Sequence, residues 1–164
     1  MSDIEVQTAV RQSIQTEKNA MDFYRLGAGM MANPEAKRVF TLLAGEEKVH
    51  AGHFYKVYTG LDIPDFEAFM ALPVDNEASW MISLKKVVDS DFTEQKAMEL
   101  AMEKELALEK ALRETAARME EPAVREVYEL NARETHNHYE LIESEYARIM
   151  GMVHESDMDT YVRE

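Results

Sequence analysis

The sequence predicts an all-α fold: two antiparallel helix hairpins, joined by a long crossover, forming a four-helix bundle. Three observations predict it. Helix-favouring residues dominate, while four prolines and six glycines in 164 residues serve as punctuation. Apolar residues recur at helical spacing along four long stretches. The segment joining the second and third stretches is too long for a hairpin turn.

Taken in order, helix A is expected over about residues 4–31 and helix B over about 34–58. Asn33-Pro34-Glu35 opens B with an N-cap, a first-turn proline and an acidic first turn. Residues 59–91 form the crossover, with Pro64, Pro73 and the polar stretch Asp75-Asn76-Glu77. A short helix from Ser79 to Val88 fits within it. Phe66, Phe69, Met70, Trp80 and Met81 are expected to pack on the bundle or on a second subunit. Asp91-Phe92-Thr93-Glu94 reads as a capping box opening helix C, about 92–119. Glu121-Pro122-Ala123 repeats the signal of helix B and opens helix D, about 122–150. Helices of this length run on the order of 40 Å. The tight A–B and C–D turns make each pair an antiparallel hairpin, and two hairpins joined by one long crossover are the ferritin-like arrangement. The bundle thus occupies residues 1–150, followed by a tail at 151–164.

Composition narrows the function. A formal net charge of −14 argues against nucleic acid or anionic membrane as a partner. The absence of cysteine removes disulfides, thiolate catalysis and thiolate metal sites, so any metal must be held by carboxylate and imidazole. No apolar run is long enough to cross a bilayer, and the acidic start Met1-Ser2-Asp3-Ile4-Glu5 does not read as a signal peptide. The cytoplasm is therefore the expected compartment. Twelve methionines suit irregular core filling.

The two hairpins also repeat. Aligning Pro34 with Pro122 sets an offset of 88 (122 − 34), at which Val39 meets Val127 and Phe40 meets Tyr128. At the same offset His50 meets His138, Phe54 meets Ile142, Tyr58 meets Tyr146 and Glu17 meets Glu105. Glu47 and His50 interrupt an apolar stripe that runs through Phe40, Leu43 and Phe54. Glu17 shares a stripe with Ile14, Met21 and Tyr24, and Glu105 one with Met98, Ala101, Leu108 and Leu112. Ionisable groups pointing into a helical core are costly unless something meets them there. One glutamate on each outer helix, plus Glu-x-x-His on each partner, is the ligand pattern of a dinuclear carboxylate site. Glu17, Glu47, His50, Glu105 and His138 are the candidate metal ligands.

These motifs resemble the rubrerythrin family, specifically its ferritin-like di-iron domain. The resemblance covers residues 5–150. It rests on Ile14-Gln15-Thr16-Glu17-Lys18, Leu43-Ala44-Gly45-Glu46-Glu47-Lys48-Val49-His50, the segment Ala97 to Glu105, and Ala132-Arg133-Glu134-Thr135-His136-Asn137-His138. The resemblance implies that Glu17 and Glu105 are terminal ligands, His50 and His138 imidazole ligands, and Glu47 a bridging carboxylate. Thr135 stands where the family has a second bridging glutamate, and Leu108 where it has an extra glutamate after the helix C ligand. Neither Glu134 nor His136 is expected to compensate, His136 because it points to the opposite side of the helix from His138. His53 and His154 are expected to lie off the metal, and Tyr24 to hydrogen-bond a ligand.

By resemblance, the activity is iron-dependent reduction of hydrogen peroxide, with peroxide or dioxygen as substrate, an external electron donor and a homodimeric assembly. Two iron ions are implied; the loss of a bridging carboxylate at Thr135 also admits a single iron, manganese or zinc. The alternatives are a degenerate metal-binding protein for storage or sensing without turnover, and a metal-free helical scaffold.

Overall fold

Capping decides where each helix begins. A computed structural model describes residues 1–151, and the tail expected beyond them, with His154, lies outside the described residues. Ser2 opens α1 (Asp3–Met30) with a capping box: its hydroxyl accepts from the Glu5 amide, and Glu5 accepts from the Ser2 amide. Asn33 Oδ1 accepts from the amides of Glu35 and Ala36 and opens α2 (Pro34–Lys56). Asp65 caps α3 (Phe66–Met70), a helix the sequence reading did not foresee. The short crossover helix is present as α4 (Ser79–Asp89). Glu121 caps α6 (Pro122–Ile149) through the amides of Ala123 and Val124.

The start of α5 (Glu94–Arg118) needs correction. Thr93 is the cap, accepting from the Lys96 amide, while Asp91 stands at φ 72° in the left-handed region. Aspartate tolerates that region better than most residues, so the chain turns there before the helix begins. Helix α2 likewise stops at Lys56, two residues before the expected end.

Among the described residues the chain is all-helical, with no strand. Helix α1 packs along α2, and α5 along α6, each pair joined by a short turn. The two hairpins meet where α2 contacts α6, and α4 lies against α1 and α5. Phe23, Tyr24, Phe40, Leu43, Phe54, Met98 and Ile142 are fully buried between them. Of the crossover residues, Phe69, Met70, Trp80 and Met81 are buried within the chain, and Trp80 meets Phe23 edge-on at 5.1 Å. Half-buried Phe66 packs on Tyr55. Met21, Met31, Met98 and Met119 fill core positions, as expected of an unbranched side chain. At Gly27 the α1 backbone comes so close to α2 that an added Cβ would stand 2.8 Å from Phe40 Cδ2.

Candidate metal centre

The 3.6-residue period carries Glu17, Glu47, His50, Glu105 and His138 into the interior, where none is more than 3% exposed. They come from all four long helices. His50 Nδ1 stands 3.0 Å from Glu47 Oε1 and 3.8 Å from Glu17 Oε1. His138 Nδ1 stands 3.6 Å from Glu47 Oε1 and 3.8 Å from Glu105 Oε2. Glu47 therefore sits between two groups, Glu17 with His50 and Glu105 with His138. The two imidazoles stack, centroids 4.9 Å apart and planes 9° from parallel.

Both oxygens of Glu17 and of Glu47, Glu105 Oε1, and Nδ1 of His50 and His138 have no hydrogen-bond partner among the described residues. Even the 3.0 Å approach of Glu47 to His50 is not aligned as a hydrogen bond. Each buried polar atom left unpaired costs about 1–3 kcal/mol, more when charged. A cluster with so many such atoms fits a cation held among them. One ligand atom each from Glu47, His50 and His138 lies within 4.8 Å of the others, close enough to share an ion.

The far sides of the imidazoles are paired crosswise. His50 Nε2 is 2.9 Å from Glu134 of α6, and His138 Nε2 is 2.7 Å from Glu46 of α2. At the offset of 88, Glu46 and Glu134 are counterparts, so each hairpin supplies the carboxylate behind the other hairpin's histidine. A carboxylate there holds the proton on Nε2 and leaves Nδ1 free as a ligand. Sequence reasoning missed this pair. Both glutamates lie one residue before the inward stripe and are partly exposed, and the sequence reading weighs Glu134 only as a substitute for the missing bridge.

Tyr24 donates a short hydrogen bond to Glu105 Oε2, the kind of contact expected of it. Burial, followed by the charge of Glu105, keeps its hydroxyl well above its ordinary range and so protonated. His53 faces Asn131 at 3.1 Å, and His136 pairs with Glu109 at 2.9 Å; neither enters the cluster. Thr135, the counterpart of Glu47, is fully buried with Oγ1 unpartnered, one turn before His138.

Charge inside the cluster shifts its groups strongly. Burial, reinforced by the charges of Glu105 and Glu17, pushes the Glu47 carboxyl up to about 8. Burial alone would lower both imidazoles. The carboxyl groups beside them outweigh it, carrying His50 to about 11 and His138 to about 9.

Residues 9–146 match the family model described as Rubrerythrin, a span that contains every residue of this cluster. The chain belongs to the rubrerythrin family. The match covers the ferritin-like di-iron domain of rubrerythrins, and the family implies iron binding. No curated protein and no solved structure matches the chain. In this rubrerythrin-family chain, no helix among the described residues is long and apolar enough to cross a membrane.

Proposed function

We propose that this chain is a non-haem di-metal protein that reduces peroxide with iron and protects against oxidative stress. The observation that carries the reading is the buried cluster of Glu17, Glu47, His50, Glu105 and His138, where Glu105 Oε2 is bonded by Tyr24 and both oxygens of Glu17 and Glu47, Glu105 Oε1 and the two Nδ1 atoms have no hydrogen-bond partner among the described residues. In this reading the four long helices form a ferritin-like bundle over residues 1–150, working as a cytoplasmic homodimer with an external electron donor. Glu17 and His50 would hold one ion and Glu105 and His138 the other, with Glu47 placed to contribute to either. Bound ferrous ions would supply one electron each, enough to cleave a peroxide O–O bond without releasing a radical.

The protein's own residues do the rest. Glu46 and Glu134 keep the Nε2 proton of each histidine, so that Nδ1 faces the site. Tyr24 orients Glu105 and holds a proton on its hydroxyl within the same hydrogen bond. Burial of all five ligands excludes bulk water, which strengthens every charge interaction inside.

Thr135 favours a second reading. With one bridging carboxylate fewer, the cluster neutralises two divalent cations less well, which suits a single iron, manganese or zinc held without turnover. Ferrous titration of the native protein and of Thr135→Glu separates the two. Two irons per native chain, oxidised stoichiometrically by peroxide, support the proposal. One iron or none in the native chain, with two in Thr135→Glu, overturns it.

A further inference from the structure

Outside the five candidate ligands, two buried polar side-chain atoms have no partner among the described residues: Thr135 Oγ1 and Asn131 Nδ2, both on α6. Both residues are fully buried, and their spacing places them on one face of the helix with His138. Asn131 Oδ1 is engaged by His53 Nδ1 at 3.1 Å, and the His53 ring lies 6.0 Å from that of His50. The two unpaired groups therefore adjoin the metal cluster. Each can donate a hydrogen bond, and burying such a donor without an acceptor opposes folding.

Against the internal repeat, both groups are departures. At the offset of 88, Thr135 corresponds to Glu47 (135 − 88), Asn131 to Leu43 (131 − 88) and its partner His53 to Leu141 (53 + 88). The second hairpin thus lacks a carboxylate at the level of the cluster. One turn earlier it carries a buried hydrogen-bond donor, where the first hairpin has apolar Leu43, itself fully buried. A shortened acid beside an added donor is the pattern of a site for an anion supplied from outside the chain.

Charge and size define that anion. Two divalent cations among Glu17, Glu47 and Glu105, with neutral histidines, leave one positive charge uncompensated (4 − 3). Threonine ends at its γ atoms, and the atoms by which glutamate is longer are those of a carboxylate group, the size of formate. We propose that Thr135 Oγ1 and Asn131 Nδ2 bind a small carboxylate anion, of formate's size, that completes the metal site on the second hairpin. This rests on the two-ion reading above. The hydroxyl and the amide donate to the carboxylate oxygens, hydrogen bonds strengthened by the acceptor's charge. The anion enters with the cations on the α2–α6 face, where a pocket of about 420 Å³ borders His50 and His138 and the cations offset the charges of Glu46 and Glu134.

Anaerobic ferrous titration against a chelator, with and without formate at constant ionic strength, tests this through metal affinity. The second ion should bind about tenfold tighter or more in saturating formate. Benzoate, too large for the place of a side-chain carboxylate, should give no gain. Thr135→Glu supplies the carboxylate covalently and should lose the dependence on formate. Thr135→Val keeps the side-chain shape without the hydroxyl, and Asn131→Leu installs the repeat's own residue. Each should abolish most of the formate gain, and either suffices should the other misfold. Two ions bound equally tightly with and without formate, an equal gain from benzoate, or an undiminished gain in a folded variant overturns the anion site and leaves the two-ion reading standing. A native protein that takes up no second ion at any formate concentration removes the reading on which it rests.

Discussion

Glu46 and Glu134 are positioning residues, and their effect is measurable through metal affinity. Partners behind metal-bound histidines typically contribute about 10–100-fold in affinity. Glu46→Gln and Glu134→Gln should each weaken ferrous binding by roughly 10-fold or more, read by competition with a chelator. Equal affinity in either variant would show that the imidazoles orient themselves. Titration supplies a second prediction. In the metal-free protein, Glu47 is raised from 4.5 to about 8, His50 from 6.5 to about 11 and His138 from 6.5 to about 9. Each raised value means that the folded state holds protons that the unfolded chain has released, so stability falls as pH rises. Between pH 6 and 9 the metal-free protein should therefore lose thermal stability, Glu47 and His138 losing their protons within or at the end of that window. A melting temperature that is flat or rising across it would contradict the assignment. Metal binding must displace these protons, so the stabilisation by metal should grow over the same range.

At the level of elements, two glycines in regular helix have opposite roles. Gly45 on α2 is exposed with open space around its missing Cβ, whereas Gly27 on α1 abuts Phe40. Gly45→Ala should stabilise the protein by about 0.5–1 kcal/mol, the helix-interior cost of glycine. Gly27→Ala gains the same propensity but drives a Cβ into a buried ring, and should destabilise by about 1–3 kcal/mol. Chemical denaturation of both variants checks the signs. Two stabilising outcomes would mean that α1 and α2 separate readily. The sequence shows neither difference, because helix period places a residue on a face but not how closely the facing helix approaches. The same limit hid the ion pair of Lys18 with Asp22, 2.7 Å apart and both buried, which looks in sequence like ordinary helix-surface charge. It hid the crossed carboxylates too. By contrast, the inward path of Glu17, Glu47, His50, Glu105 and His138 was legible, since the helical period places the first four on apolar stripes and the repeat pairs Glu17 with Glu105 and His50 with His138. Helix starts were legible where proline marks them, at Pro34 and Pro122, and misread at Asp91, where a left-handed residue imitates a cap.

For the whole molecule, the proposed site predicts a stability that depends on metal. The orphaned inward atoms oppose folding until an ion satisfies them, whereas an ion bound only by the native state adds about 4 kcal/mol at a thousandfold excess over Kd. For a chain of this size that corresponds to a rise in melting temperature of roughly 8–16 °C. Calorimetry of chelated and ferrous-loaded protein measures it. An unchanged midpoint would leave the metal-free scaffold as the better description.

Crossed support of the histidines has a consequence for assembly. A lone α1–α2 hairpin carries Glu17, Glu47 and His50 yet lacks the carboxylate that fixes its own imidazole; the α5–α6 hairpin has the converse deficit. Neither half is a smaller working version of the whole. Cut within the crossover, the fragments should regain ordered histidines only when mixed, each acting as template for the other. Were such a hairpin ever a free-standing peptide, it would have had to clasp a second copy to orient a single ligand.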